Sequence, residues 1–149
     1  MRAVVQRVRS SSVKVEGNIV GKIGYGLNVL LGISIDDGNE DIEYMKDKIL
    51  NLRIFEDENG KLNKSLKDIN GDIIIISQFT LYGDCRKGRR PSFSNALSGD
   101  KSKVLYEEFV KLCKSEVENV STGVFGADMD VEINNDGPVT LLVDSKRIF

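Results

Sequence analysis

The sequence predicts a single α/β domain of the α+β kind over residues 1–149, in which a mostly antiparallel or mixed, barrel-like sheet packs against two main helices. Three observations carry this reading. Short runs of alternating or continuous apolar residues, bounded by Gly, Asn and Asp, fill both ends of the chain. Only two segments repeat apolar residues at the three- and four-residue spacing of a helix. A length of 149 residues with 40% apolar composition suffices for one well-filled core, at about 100–200 residues per domain.

Residues 2–9 alternate, with Val4, Gln6 and Val8 against Val5 and Arg7, which predicts a strand. Val13-Lys14-Val15 and Ile19-Val20 flank the turn residues Glu16-Gly17-Asn18 as a hairpin. Gly24 and Gly26 punctuate the start of the next strand, Leu27–Ile35, whose near-continuous apolar character predicts burial on both faces. Asp36-Asp37-Gly38-Asn39 closes it. From Glu40 to Leu52 the residues Ile42, Met45, Ile49 and Leu52 define an amphipathic helix. Glu56-Asp57-Glu58-Asn59-Gly60 reads as a polar turn, and Asp72–Gln78, with Ile73 to Ile76, as a second buried strand. A second helix spans Lys101–Glu118, with Leu105, Phe109, Leu112 and Val117 on its apolar side and Ser98 or Asp100 as N-cap. Two strands, Asp128–Asn134 and Val139–Asp144, end the chain, and Asn135-Asp136-Gly137-Pro138 between them predicts a hairpin turn. No repeat, linker or low-complexity tract interrupts this order.

Composition excludes several kinds of chemistry. The chain has no histidine, so Ser-His-Asp and Cys-His nucleophile pairs and His-ligated zinc are ruled out, and no side chain titrates near pH 7 by default. A net charge of −2 and a pI near 5.3 argue against bulk, sequence-independent nucleic-acid binding. Cys85 and Cys113 share no metal spacing and read as two reduced, partly buried thiols. Arg2, Arg7 and Arg9 lie in a strand-like N-terminus without an apolar leader, and no apolar run is long enough to span a bilayer, so a cytoplasmic protein is expected. Gly21 to Gly26 holds its glycines in the wrong order for a dinucleotide fingerprint, and Gly60-Lys61 lacks the rest of a P-loop. Asp36-Asp37 and Asp128/Asp130 are more simply turn and strand-end residues than cation ligands. No cofactor and no metal are expected.

Three segments stand out. Ser77-Gln78-Phe79-Thr80-Leu81-Tyr82-Gly83-Asp84 continues the four-isoleucine strand into polar residues, either as an ordinary strand end with Phe79 and Leu81 in the core, or as the floor of a cleft. Arg86, Lys87, Arg89 and Arg90 surround Gly88 and precede Pro91-Ser92-Phe93, as a solvated loop or as a phosphate contact. Gly137-Pro138 is either a stiff turn at a sheet edge, or a cis bond that presents consecutive main-chain carbonyls.

Taken in order, Met1-Arg2-Ala3-Val4-Val5-Gln6-Arg7-Val8, Gly24-Tyr25-Gly26-Leu27, Ser77-Gln78-Phe79-Thr80-Leu81, Arg90-Pro91-Ser92-Phe93, Phe125-Gly126-Ala127-Asp128-Met129 and Asn135-Asp136-Gly137-Pro138-Val139-Thr140 resemble the D-aminoacyl-tRNA deacylase family from Met1 to Phe149. The resemblance implies hydrolysis of the ester between a D-amino acid, or mischarged glycine, and the terminal adenosine of tRNA. It implies a homodimer in which the Gly137-Pro138 turn of one subunit, with a cis bond, enters the pocket of the other. There its carbonyls capture the α-amino group and an L side chain meets backbone. Arg7 then holds the turn, Ser77, Gln78, Phe79 and Thr80 form the catalytic floor, Met129 lies on the wall, and Arg86, Lys87, Arg89 and Arg90 contact tRNA. Such an ester is already activated by the neighbouring ribose hydroxyl. The expected mechanism is therefore orientation, oxyanion stabilisation by amides near Phe79 and Thr80, and assistance from the tRNA 2′-OH. Thr80 is the rival, as nucleophile or water-positioning group. The alternatives are a non-catalytic nucleic-acid-binding module using the Arg86–Arg90 loop, and an editing-type domain of a larger synthetase complex.

Overall fold

In a computed structural model covering residues 1–149, the alternating N-terminal segment and the first hairpin arm form one 14-residue strand, β1 (Arg2–Val15). The strand runs through Ser10-Ser11-Ser12, where the buried Ser11 hydroxyl satisfies itself on the Glu132 carbonyl at 2.8 Å. Glu16 and Gly17 turn the chain at positive φ into β2 (Asn18–Ile23), antiparallel to the end of β1. β3 (Gly26–Gly32) pairs antiparallel with the start of β1, Arg2 opposite Gly32 and Val8 opposite Gly26.

The next two pairings are parallel and need crossovers, which the two helices supply. α1 (Asn39–Leu50) leads, by way of a small hairpin of β4 (Phe55–Glu56) and β5 (Leu62–Lys64), to β6 (Asp72–Ser77), parallel to β3. α2 (Gly99–Lys114) leads to β7 (Val120–Thr122), parallel to β6. The order is β2-β1-β3-β6-β7, and the ends of this sheet curl toward each other. The Lys22 amide donates to Ser121 Oγ at 3.1 Å, and a Cβ on Gly21 would lie 2.2 Å from the Thr122 carbonyl. The sheet is thus a nearly closed barrel.

Successive side chains of β6 point to opposite faces. Ile73 and Ile75 join Val5, Leu27, Val29, Ile42, Met45, Ile49 and Phe109 in the main core beneath the helices. Ile74 and Ile76 join Val8, Val13 and Ile23 in a second cluster. The burial expected for this strand has that origin, and it extends to both faces. Tyr106 ties α2 to β6 by donating its hydroxyl to the Ile75 carbonyl at 2.7 Å. No helix is long and apolar enough to cross a membrane.

The predicted C-terminal hairpin is absent. β8 (Asp130–Asp144) is one 15-residue strand whose two halves pair antiparallel with β1 in the same direction. Thr140 faces Gln6 and Asn135 faces Val8, so residues 136–139 stand opposite Arg7 alone. Asn135-Asp136-Gly137-Pro138 is therefore a bulge and not a reversal, with Gly137 at φ +118°, a conformation L side chains rarely adopt. The helices are also shorter than their apolar patterns. α1 stops at Leu50 and α2 at Lys114, while Leu52 and Val117 pack against the core from the turns that follow. Ser98 is the N-cap position of α2, without a side-chain capping bond.

Candidate functional site

Where β3 and β6 end side by side, a cleft of about 740 Å³ opens between their C-terminal ends, the loop entering α2 and the segment entering β8. Leu31 and Ile33 line it from β3 and its continuation, and Ile76 and Ser77 from β6. Gln78 and Phe79 follow from the chain beyond β6; Phe93, Ser94, Ala96 to Gly99 and Ser102 line it from the α2 side, and Phe125 to Met129 with Val131 from the β8 side. Gln78 is fixed at the strand end by donating its backbone N–H to the Leu31 carbonyl at 2.8 Å. The chain then enters a 3-10 turn at Phe79–Tyr82, which pushes Phe79 outward until it is 56% exposed; of the two readings of this segment, the one with Phe79 in the core is excluded. Its ring meets that of Phe93 edge to face.

Ser77, Gln78, Phe79 and Met129 are thus brought together in one cleft. Thr80 is adjacent but does not line it, and its hydroxyl accepts a hydrogen bond from Gln78 Nε2. Met129 reaches the wall because Gly123 leaves room: a Cβ there would lie 2.4 Å from the Met129 sulfur. Asp128 is the one ionisable side chain of the lining. No three acidic or cysteine side chains converge in a way that could hold a metal ion. The contributions of Phe93, Ser94, Ala96–Gly99, Ser102 and Phe125–Asp128 were not foreseen as parts of the site. Phe93 and Phe125–Asp128 stand in two of the segments that carry the family resemblance, but in loops with no periodicity to place them at a cleft.

The basic loop lies beyond the cleft. Paired backbone bonds between Asp84 and Ser92 close its base. Arg86 turns back on Asp84, with two contacts of 2.9 and 2.8 Å to the two carboxylate oxygens, and these bonds hold the Asp84 carboxyl well below the usual carboxylate range. Lys87, Arg89 and Arg90 are exposed and make no ion pair, leaving three free cations where the sequence suggested four. Cys85, in the same loop, is exposed instead of partly buried. Cys113 is buried in the core, and burial pushes its thiol up to about 12.

Arg7 and the Gly137-Pro138 bulge do not line the cleft of their own chain. The Gly137–Pro138 bond is cis. Arg7 is nearly buried beneath the bulge; its Nη1 donates to the Ile54 carbonyl at 2.9 Å, and its Nε lies 3.0 Å from Asp136 Oδ2.

Comparison with known proteins gives a consistent result. The model of the D-Tyr-tRNA(Tyr) deacylase family matches residues 4–144. The D-aminoacyl-tRNA deacylase of Clostridium acetobutylicum is 71% identical, and that of Clostridium kluyveri 70% identical, each over the full length of both chains. Among solved structures, a c-Myc DNA unwinding element binding protein superposes with a TM-score of 0.92 at 44% identity, covering 97% of this chain and 98% of that one. A probable eukaryotic D-amino acid tRNA deacylase shares the fold at 19% identity, with a TM-score of 0.83 over 95% of this chain and 97% of that one. The sequence motifs, the near-closed barrel with its two crossover helices and these full-length matches agree that the chain belongs to the D-Tyr-tRNA(Tyr) deacylase family.

Proposed function

We propose that this protein hydrolyses the ester joining a D-amino acid, or mischarged glycine, to the 3′-terminal adenosine of tRNA in the cytoplasm, releasing the free amino acid and tRNA. The observation that carries the reading is a cleft floored by Ser77, Gln78 and Phe79 that holds no imidazole and no thiol, in a chain 71% identical to a D-aminoacyl-tRNA deacylase. Water adds to the ester carbonyl, the acyl C–O bond breaks, and the ribose oxygen leaves with a proton. Phe79 and Thr80 open the 3-10 turn, so their amides have no acceptor within it. Donors of this kind suit a developing oxyanion; loss of one typically costs about 2.7–4 kcal/mol. The 2′-OH of the substrate assists, and no protein side chain serves as base.

Selectivity comes from a second copy of the chain. The outer edge of β8 pairs with no strand, and a 15-residue unpaired edge invites pairing with another chain. In the homodimer the Gly137-Pro138 turn of one subunit enters the other's cleft, receives the α-amino group on its carbonyls and blocks an L side chain. Arg7 holds the turn, Met129 bounds the substrate, and Lys87, Arg89 and Arg90, with Arg86 at the base of their loop, meet tRNA phosphates.

Incubation with D-Tyr-tRNA and L-Tyr-tRNA, following release of the amino acid, tests the reading. Release from the D substrate alone is expected; equal rates or none overturn it. Deleting Gly137-Pro138 is expected to remove enantioselectivity as well as rate. A non-catalytic nucleic-acid-binding role is the second reading, favoured by the three free cations and by the printed name of the 44% identical structure. It requires steeply salt-dependent binding that is indifferent to the aminoacyl group.

A further inference from the structure

We infer that Asp136 is a positioning residue whose carboxylate, held between Arg7 and Arg9, sets the orientation of the Gly137-Pro138 segment and through it the selectivity between enantiomers. The inference rests on the role proposed above for that segment.

The argument begins with what β1 does not supply. Residues 136–139 face Arg7 alone, so the regular register that orients the rest of β8 is interrupted where Gly137 and Pro138 lie. The bulge needs another device to fix its direction. Arg7 and Arg9, two positions apart on β1, project to the same face of the strand. Asp136 bridges them, with Oδ2 3.0 Å from Arg7 Nε and Oδ1 3.2 Å from Arg9 Nη2.

The same Arg7 Nε also lies 3.3 Å from the Asp136 carbonyl oxygen. One guanidinium nitrogen therefore donates to the backbone of Asp136 and lies in ion-pair contact with its carboxylate. The peptide plane joining Asp136 to Gly137 cannot rotate without pulling the carbonyl off Arg7, and the carboxylate resists any shift of the whole residue. Arg7 does not yield in turn, because Nη1 is tied to Ile54 and Nη2 sits 4.0 Å from Glu56 Oε1. Gly137 lies against this group: a Cβ there would be 3.2 Å from Arg7 Nη2 and 3.0 Å from Val139 Cγ2.

Burial decides that the pair matters. Exposed ion pairs contribute little, but the Arg7 side chain is 6% exposed and that of Asp136 16%. A guanidinium held that far from water needs its counter-charge. Arg9 is 71% exposed and is the weaker partner. Asparagine in place of Asp136 keeps the size but loses the charge and one acceptor, so it serves one arginine at most.

The test is kcat/KM of the full-length homodimer for D-Tyr-tRNA and L-Tyr-tRNA in Asp136→Ala, Asp136→Asn and Asp136→Glu, together with the Gly137-Pro138 deletion and a thermal melt of each. The D-to-L ratio is expected to fall by about tenfold or more in Asp136→Ala, a loss of roughly 1.4 kcal/mol of discrimination, and by less in Asp136→Asn. Asp136→Glu, which restores the charge, is expected to recover part of it. A general loss of stability lowers both rates together and leaves the ratio in place, so the ratio separates positioning from folding. If Asp136→Ala does not fold, Asp136→Asn reads the same ratio. A wild-type ratio in the Asp136 variants, alongside lost selectivity in the deletion, overturns the inference alone. A wild-type ratio in the deletion overturns the reading of the turn and this inference with it.

Discussion

Phe79 and Phe93 pack edge to face with ring centroids 5.1 Å apart and planes at 69°, yet both are partly in solvent, 56% and 38% exposed. One ring comes from the 3-10 turn after β6 and the other from the loop before α2, and together they form an apolar ridge on the cleft. An aromatic pair is worth about 0.5–1.5 kcal/mol beyond its buried area. Phe93→Ala is therefore expected to raise KM for D-aminoacyl-tRNA roughly fivefold, about 1 kcal/mol, by freeing Phe79, while kcat stays close to wild type. A drop in kcat with unchanged KM places Phe93 in the chemical step instead.

Thr80 and Asp128 are two side chains near the cleft that could take the part proposed above for the substrate's 2′-OH. The Thr80 hydroxyl is occupied by Gln78 Nε2, and Thr80 does not line the cleft; a hydroxyl with no adjacent base is a weak nucleophile. Asp128 is exposed on the rim. Thr80→Val and Asp128→Asn are expected to keep single-turnover rates within about tenfold of wild type, since losing a general base typically costs about 10²–10⁴-fold. Abolished turnover with D-aminoacyl-tRNA still bound, in either variant, ends the substrate-assisted mechanism.

What the sequence made legible follows a physical division. Ile73–Ile76 read as a buried strand because each isoleucine has a core to enter, the odd ones beneath the helices and the even ones in the second cluster. Asp136-Gly137 was misread because the same local chemistry suits a two-residue turn and a bulge. What decides is β1, which continues for 14 residues and gives both halves of β8 a partner. The serines at 10–12 hid that continuity, since their compatibility with the strand comes from distant acceptors such as the Glu132 carbonyl. In the site, the Ser77–Phe79 floor was visible as the polar end of an apolar run, whereas Phe93 and Phe125 reach the cleft from loops whose placement depends on α2 and β8.

Closure of the barrel is testable at Gly21. Its missing side chain lets β2 approach β7, where a Cβ would lie 2.2 Å from the Thr122 carbonyl and 2.9 Å from Ser121 Oγ. Backbone at such a distance cannot swing aside as a flexible side chain would. Gly21→Ala is expected to cost about 1–3 kcal/mol in urea unfolding, the usual range for forced overpacking. Unchanged stability means that the two edges are not held together in solution.

Acid stability turns on Asp41, in the first turn of α1. Burial by itself raises its pKa, but hydrogen bonds from Lys146 Nζ at 2.7 Å, Ser145 Oγ at 2.6 Å and the Gly38 amide at 3.0 Å outweigh burial and bring it from 3.8 to about 2. A carboxylate whose pKa is depressed by folding stabilises the native state at pH values above its unfolded pKa, and that contribution fades as the pH falls through the folded value. The window is therefore roughly pH 4 down to 2, and the shift corresponds to about 2 kcal/mol at 1.36 kcal/mol per unit. Asp41→Asn is expected to lower the unfolding free energy by about that amount near pH 7, and the gap to wild type should narrow as the pH falls toward 2 and close below it, where the carboxyl is protonated in the folded state as well. Urea unfolding at several pH values measures this directly. A gap that persists unchanged down to pH 2 assigns the contribution of Asp41 to the shape of its hydrogen bonds and not to its charge.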